Sequence, residues 1–286
     1  MSGAETIEFS VGPERISIAA GDRPVGSYIY QGCWRPYFWP LCTPEGSVVR
    51  GVSAREHPNQ YGVSLAYGGH QTPETTSIWS DYDEPPYGPC GKMLHRGFNA
   101  VRRLDARTLL IAQQTVWVNG RGEVFGGDVR EHELVLLDGG ELLLRIRQRV
   151  RRPGDPVPGN LLLSARVADS IRVKALYNAE GHVPGEIRNS EGAAGEEATR
   201  DARARWCSYW GRVGDGHAGL ALLSHPLNPE HPARFFTREY GIVTINQPFN
   251  PKVDELVVRW GAFIFRGPAD PGRIDRVYQE FAQSWR

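Results

Sequence analysis

The chain has little of several features that would assign a protein to a functional class at once. Lys plus Arg and Asp plus Glu number 33 each in 286 residues, so the net charge is zero and the basic excess of a nucleic-acid-binding protein is missing. No apolar run approaches the roughly 18 residues that a membrane helix needs. The N-terminus has neither a basic start nor an apolar stretch, so it shows no signal peptide. We therefore expect a cytoplasmic protein that binds neither nucleic acid nor a membrane.

Signature motifs of common enzyme classes are missing as well. No G-x-S-x-G, Walker loop or G-x-G-x-x-G after a strand occurs, which argues against serine hydrolases, nucleotide-triphosphate enzymes and Rossmann dehydrogenases. The four cysteines form no C-x-x-C pair, so neither a zinc ribbon nor a thioredoxin-type motif is indicated. We interpret them as reduced and mostly buried residues.

Short alternating segments separated by Gly and Pro make up most of the sequence. Residues 7–11, 16–18 and 25–30 alternate between apolar and polar side chains, a pattern typical of antiparallel strands. Later segments continue in the same style at 63–67, 92–98, 108–118, 124–137, 142–150, 205–210, 219–224, 235–246 and 255–265. No internal repeat of 20 to 50 residues indicates a propeller or solenoid. With 40% hydrophobic residues the chain can bury a full core.

The one good helix lies at about residues 271–285. Asp270 can cap it, Pro271 takes its first position, and apolar residues from Ile274 to Trp285 fall on one face. The sequence thus predicts one all-β domain over residues 1–286. Its architecture would be a two-sheet antiparallel β-sandwich, of jelly-roll or mutarotase-like supersandwich type, closed by a C-terminal helix.

Two segments leave alternatives open. Arg145, Arg147 and Arg149 share one face of a strand, which is either a solvated sheet face or a basic strip that faces a ligand. Residues 178–204 are polar and rich in Gly and Glu, and we predict a surface loop there.

One stretch, Trp34 to Asp81, concentrates aromatic residues, Pro, Gly, Arg, His and amides as no other part of the chain does. Flat rings beside a few orienting polar groups are typical of a pocket wall. Arg35 could clamp a carboxylate or keto-sugar oxygen, or it could be a structural arginine stacked on Trp34 or Trp39. Within the stretch we predict five substrate-binding residues: Arg35, Tyr37, Asn59, Gln60 and Trp79.

Four histidines are candidates for proton exchange near neutral pH: His57, His95, His225 and His231. A three-histidine metal site is an alternative, but no H-x-H or H-x-x-x-H pair occurs. We therefore assign no metal ligand and no cofactor, with a divalent metal kept as the alternative. Asp81 and Glu191 could act as general acid or base if burial raised their pKa, and Asp81 could instead be a turn carboxylate.

Several motifs together give the chain a family resemblance over roughly residues 7 to 283. They are Arg35-Pro36-Tyr37, Glu56-His57-Pro58, the segment from Gly91 to Arg96, Asn189-Ser190-Glu191-Gly192, and the segment from Ser224 to Pro232. The chain resembles the soluble family labelled "methane oxygenase PmoA", a domain of unknown function. The resemblance implies a β-sandwich and an association with sugar-oxidising dehydrogenases of the glucose–fructose oxidoreductase type. It therefore points to carbohydrate or keto-sugar chemistry.

The chain departs from that family at its histidines. Where the family usually has His-Pro-His-His-Arg-Gly, this chain has Asn59, Gln60 and Tyr61 after His57-Pro58. Phe235-Phe236 stands where the family often has Trp-His, and Ser224 replaces a common acidic residue. Amides can still bind sugar hydroxyls through paired donors and acceptors.

We therefore expect an enzyme, a lyase, hydrolase or isomerase, that acts on a sugar or keto-sugar-like molecule by acid–base chemistry. The predicted catalytic residues are His57, His95, Glu191 and Asp81, and Asn189, His225 and Tyr240 join the substrate-binding set. The alternatives are a non-catalytic carbohydrate-binding protein or complex subunit, and a tailoring enzyme for a secondary metabolite. Convergence of His57, His95 and a carboxylate on one cavity would favour the enzyme. The sequence does not give the oligomeric state.

Overall fold

The computed structural model describes residues 5–53, 56–68, 76–84, 88–151, 159–249 and 254–285. In chain order the strands are β1 (Ile7–Val11), β2 (Arg15–Ala20), β3 (Arg23–Ile29), β4 (Tyr37–Thr43), β5 (Gly46–Ser47), β6 (Val63–Tyr67), β7 (Asp83–Glu84), β8 (Gly88–Pro89), β9 (Lys92–Asp105), β10 (Thr108–Val118), β11 (Val124–Leu136), β12 (Leu142–Arg151), β13 (Gly159–Arg166), β14 (Glu186–Asn189), β15 (Arg203–Ala204), β16 (Trp206–Val213), β17 (Gly216–Ser224), β18 (Ala233–Arg238), β19 (Ile242–Phe249) and β20 (Glu255–Arg266). The α-helices are α1 (Gly195–Thr199) and α2 (Pro271–Gln283).

Two antiparallel sheets confirm the predicted β-sandwich. The first sheet has the order β1-β2-β3-β4-β6-β13-β19-β18-β15, with β5 beside β4. The second has the order β14-β16-β17-β20-β12-β11-β10-β9, and β7 pairs with β8 in a separate ribbon. No helix among the described residues is long and apolar enough to cross a membrane.

One apolar core lies between the sheets. Leu161, Leu163 and Ala165 of β13 belong to it, together with Leu144 and Ile146 from the second sheet. Because successive side chains of a strand point to opposite faces, the even-numbered residues of β13 face away from this core. The same alternation turns alternate residues of β18 and β19 outward. This outer face of the first sheet carries the pocket described below.

The arginine-rich strand β12 has a solvated face with compensated charge. In the register of β11 and β12, Arg145 lies opposite Glu133 and Arg147 lies opposite Glu131. Ion-pair distances of 2.7 and 2.6 Å join these partners. Cross-strand ion pairs therefore neutralise Arg145 and Arg147, which agrees with the solvated sheet face and not with a basic strip that faces a ligand.

Helix α2 forms as its sequence predicts and ends at Gln283, two residues before the expected end. Asp270 Oδ1 accepts a hydrogen bond of 2.9 Å from the amide of Gly272, which caps the helix. Ile274, Phe281 and neighbouring apolar residues pack on Phe263 and other residues on the outer side of the second sheet. No disulfide joins the four cysteines, all of which lie in the described residues, and Cys90 and Cys207 are buried.

Residues 178–204 contain more regular structure than the predicted surface loop. They include β14, α1 and β15. A five-residue helix and short edge strands bury too few side chains to leave a periodic pattern in the sequence. Helix α1 is fixed to β18 by a 2.8 Å hydrogen bond between the hydroxyls of Thr199 and Thr237. This contact brings α1 beside the pocket.

Candidate functional site

A pocket of about 750 Å³ opens on the outer face of the first sheet. Side chains of β18 and α1 line it, together with residues from the loops before and after β6, after β13 and before β19. The lining residues are His57, Asn59, Gln60, Trp79, Tyr82, Lys174, Glu196, Glu197, Arg200, Phe236, Arg238, Glu239 and Tyr240. Rings, amides and charges of both signs therefore meet in one hollow.

His57 is held by a carboxylate and by a ring. Glu56 Oε2 lies 2.9 Å from His57 Nδ1, and the imidazole stacks on Tyr240 at 4.5 Å between ring centroids. The backbone of His57 is left-handed, with φ 40°, a conformation that few non-glycine residues adopt. Because the carboxylate accepts from Nδ1–H, the lone pair of the neutral ring is on Nε2.

The surroundings of His57 favour its neutral form. Burial first, and then the charges of Arg166 and Arg50, lower the pKa of His57 below its ordinary value of 6.5. At neutral pH the imidazole is therefore uncharged, and it can accept a proton through Nε2.

Three arginines hold the carboxylate of Glu56. Arg50 Nη1 donates to Glu56 Oε1 at 3.0 Å, and Nη2 of both Arg166 and Arg172 donates to the same oxygen. The arginine side chains are 7%, 0% and 1% exposed, so little water screens them. Asp169, which is half exposed, adds contacts of 3.6 Å to Arg50 and 3.1 Å to Arg172. With Glu56 itself counted, three cations face two carboxylates, so the cluster around Glu56 carries a net positive charge.

The charge of this cluster persists at neutral pH. Burial and then Arg50 lower the pKa of Arg166 to about 9, and the same two causes lower the pKa of Arg172 to about 10. Both guanidinium groups remain protonated at pH 7. Glu56 is consequently held between these cations, through Oε1, and the imidazole of His57, through Oε2.

Trp79 is held in place by groups beneath it. Arg35 Nη1 and Asn59 Nδ2 donate to the Trp79 carbonyl at 3.1 and 3.3 Å. Arg35 Nη1 also pairs with Asp81 Oδ1 at 2.6 Å, and its Cζ lies 4.7 Å from the ring centroid of Tyr61 and 5.7 Å from that of Trp79. The indole is thus a preorganised wall for a flat ligand.

Residues 15–279 match the family described as "Family of unknown function (DUF6807)". The chain belongs to this family. The match includes every residue that lines the pocket. No curated protein matches the chain.

In this DUF6807 member, five of the twelve predicted site residues line the pocket: His57, Asn59, Gln60, Trp79 and Tyr240. Both amide side chains also have structural partners. Gln60 Oε1 accepts from Arg166 Nη1 at 2.8 Å, and Asn59 Nδ2 donates to the Trp79 carbonyl at 3.3 Å. Arg35, Tyr37 and Asp81 are not among the lining residues. The guanidinium of Arg35 is buried against Asp81, Tyr61 and Trp79, which agrees with the structural alternative but with other partners than Trp34 or Trp39. Burial raises the pKa of Asp81 although Arg35 acts to lower it.

His95 lies apart from His57, on β9 of the second sheet. It lines a different hollow of about 460 Å³, where its Nδ1 is 2.7 Å from Gln113 Nε2 and its ring contacts Tyr30 and Phe98. Burial lowers the pKa of His95. The convergence of His57 with His95 is therefore not observed, and Glu56 is the carboxylate that accompanies His57.

The remaining predicted residues have structural partners elsewhere. His225 is fully buried, with Nε2 bonded to the Ser284 carbonyl at 3.0 Å and Nδ1 accepting from the Leu227 amide at 3.1 Å. Asn189 Oδ1 accepts the amides of Glu191 and Ala193 at 3.0 Å each and so shapes a turn.

Two further predicted groups lie outside the pocket. Glu191 accepts from Ser190 Oγ at 2.7 Å and is not among the pocket-lining residues. His231 lies 3.3 Å from Ser224 Oγ and 3.4 Å from Tyr278 Oη. In the part of the chain that the structure describes, no group of three or more His, Cys, Asp or Glu side chains could hold a metal ion.

Sequence reasoning did not assign Glu56, the arginine cluster, or the residues of α1 and β18 to the site. Glu56 carried a signal, because a carboxylate directly precedes His57-Pro58. Arg166 carried another, since a charged residue ends the apolar run from Leu161. Neither pattern predicts that these residues contact each other, because Arg166 and Arg172 are 110 and 116 residues from Glu56 in the chain.

Proposed function

We propose that this protein is an enzyme that acts on a sugar or keto-sugar-like small molecule, with His57 as the proton-transfer residue. The observation that carries the proposal is the pairing of His57, which lines the pocket, with Glu56, whose carboxylate three buried arginines contact. A carboxylate that orients a neutral imidazole is the arrangement by which many enzymes prepare a general base.

The composition of the pocket supports a polyhydroxylated ligand. Trp79 and Tyr82 offer flat faces on which a sugar ring can lie, while Asn59 and Gln60 supply amide groups. The Tyr240 ring is already covered by His57 and Arg166. Lys174 and Glu197 add charges of both signs, so a neutral polar molecule finds donors and acceptors without a strong net field. The resemblance to the PmoA-labelled family adds its association with sugar oxidation to this argument.

Among the reactions that the sequence leaves open, lyase or isomerase chemistry fits the pocket best. Both need one base that removes a proton from the carbon beside a carbonyl, and Nε2 of His57 can accept it. Glycoside hydrolysis normally needs a carboxylic acid with a raised pKa. Burial acts to raise the pKa of Glu196, but the Glu239 amide and Arg238 outweigh it and lower that pKa. Glu196 is therefore a poor acid.

His57→Asn is the variant that tests the proposal most cleanly. Asn tolerates left-handed backbone better than most residues, so the loop should keep its shape while the imidazole is lost. His217→Asn, on β17 of the other sheet, is the matched control. Purified proteins are incubated with a panel of keto-sugars, and the products are followed by NMR. We expect His57→Asn to lose about 10²- to 10⁴-fold in rate and His217→Asn to keep the wild-type rate. Equal rates in all three proteins would refute the role of His57.

A non-catalytic carbohydrate-binding protein is the second candidate. It is favoured by the separation of the histidines, since His57 is the one histidine among the described residues that line the pocket. In this case sugars would raise the melting temperature of the wild type and of His57→Asn alike, and no keto-sugar would be converted by either. Conversion by the wild type alone would rule it out.

A further inference from the structure

A second hollow of about 390 Å³ adjoins the first on the same sheet face. Trp79 and Phe236 line both, so these two rings form the boundary between them. The new hollow extends over β13 and β19, where Leu162 and Asn246 are outward-facing positions. The two hollows are therefore lobes of one cleft.

The two lobes differ in chemistry. Six charged residues line the first lobe, and in the second there are two, Glu230 and Arg234. Both are engaged away from the hollow, because Glu230 pairs with Arg203 at 2.8 Å and Arg234 donates to the Asp201 carbonyl at 2.9 Å. A ligand in the second lobe therefore meets few charges; besides rings and aliphatic groups it meets the amides of Asn160 and Asn246.

Other contacts strengthen this apolar character. Thr244 Oγ1 donates to Ser164 Oγ at 3.1 Å, so its hydroxyl is occupied. Leu162 and Pro248 provide aliphatic surface beside the two shared rings. Arg238, in the first lobe, places its Cζ 4.9 Å from the ring centroid of Phe236 and so supports the ring from the polar side.

We infer that the second lobe is a subsite for a flat apolar group, an aromatic aglycone joined to the sugar-like part in the first lobe. The inference rests on the proposed function and narrows its substrate class to keto-sugars that carry an aryl group in glycosidic linkage. Aryl glycosides of ordinary hexoses, which lack the carbonyl, serve as binding probes. A free monosaccharide would leave the second lobe unfilled, whereas an aryl group seated beside Trp79, Phe236 and Leu162 removes apolar surface of both partners from water.

The test compares matched methyl and phenyl glycosides of glucose, galactose and mannose by titration calorimetry, with 4-fluorophenol as a sugar-free probe by ¹⁹F NMR. The blocking variant is Asn246→Trp, which fills the second lobe from an outward position of β19. Asn99→Trp, at an exposed position of β9 in the other sheet, is its control. The Asn246 side chain is not in the His57 machinery, so methyl glycosides are expected to bind to all three proteins alike.

At about 25 cal/mol per Å² of buried apolar surface, a phenyl ring that buries roughly 100 Å² should bind at least about tenfold more tightly than methyl. Asn246→Trp should abolish this advantage and the 4-fluorophenol signal, and Asn99→Trp should retain both. Equal affinity of phenyl and methyl glycosides, no binding of any probe, or an advantage that survives Asn246→Trp would overturn the subsite. An advantage lost in Asn246→Trp, together with keto-sugar conversion that does not depend on His57, would instead refute the proposed function and leave the subsite standing.

Discussion

Replacing Glu56 by Gln tests the charge arrangement behind the site. The substitution keeps the shape of the side chain and removes the carboxylate that contacts Arg50, Arg166 and Arg172. The guanidinium groups of Arg166 and Arg172 would then lie buried, with half-exposed Asp169 as the carboxylate that remains near them. Removal of one partner from a buried ion pair costs about 3–5 kcal/mol. We take the lower end, about 3 kcal/mol, because Asp169 compensates part of the charge.

Thermal unfolding measures this loss directly. At about 2–4 °C per kcal/mol for a chain of this size class, Glu56→Gln should melt roughly 6–12 °C below the wild type. Glu197→Gln is the matched control, since Glu197 is an exposed carboxylate of the same pocket, and it should change the melting temperature by about 1 °C or less. In the double variant Glu56→Gln/Arg166→Met, the loss of unfolding free energy should differ from the sum of the two single losses by about 0.5–3 kcal/mol, because the two side chains are in contact. A melting temperature of Glu56→Gln within 2 °C of the wild type would refute the reasoning.

Three further predictions concern acidity and the helix. Because the pKa of His57 is lowered from 6.5, the rate of keto-sugar conversion should fall only when the pH drops below about 6.5, and a rate that already falls with decreasing pH above 6.5 would contradict this. His132 is buried with neither ring nitrogen hydrogen-bonded to a described residue, and burial and then Arg130 hold its pKa well below 6.5. Below pH 6.5 the unfolded chain therefore binds a proton that the folded chain does not, so stability decreases as the pH decreases. His132→Leu should raise the melting temperature and make it fall less between pH 6.5 and pH 5. An unchanged dependence of the melting temperature on pH would contradict this. Asp270→Ala should cost about 1 kcal/mol in urea unfolding by removing the cap of α2, whereas Asp270→Asn should cost less, and equal stability of all three proteins would exclude the cap.

The fold could be predicted from the sequence because its signals are local. Alternation in segments such as β2 and β12 needs only neighbouring residues, and the cap at Asp270 lies beside the apolar stripe of α2. The aromatic and polar composition around His57 and Trp79 indicated one wall of the pocket for the same reason.

The opposite wall and the charge cluster could not be predicted, because they depend on strand pairing across the sheet. Arg166 reaches Glu56 only through the register of β13 against β6 and through the loop that precedes β6. Residue type alone groups His95 with His57, and the strand order places His95 in the second sheet. One sequence does not contain this information in a local pattern.

Solvent deuterium exchange tests the central claim most directly. If His57 removes a proton beside the carbonyl of a bound keto-sugar, the wild type in D₂O should replace that carbon-bound hydrogen by deuterium, even where no net product forms. The loss of its ¹H NMR signal should slow by about 10²-fold or more in His57→Asn and stay unchanged in His217→Asn. Absence of exchange in the wild type for every keto-sugar that raises its melting temperature, or equal exchange in His57→Asn, would contradict the account.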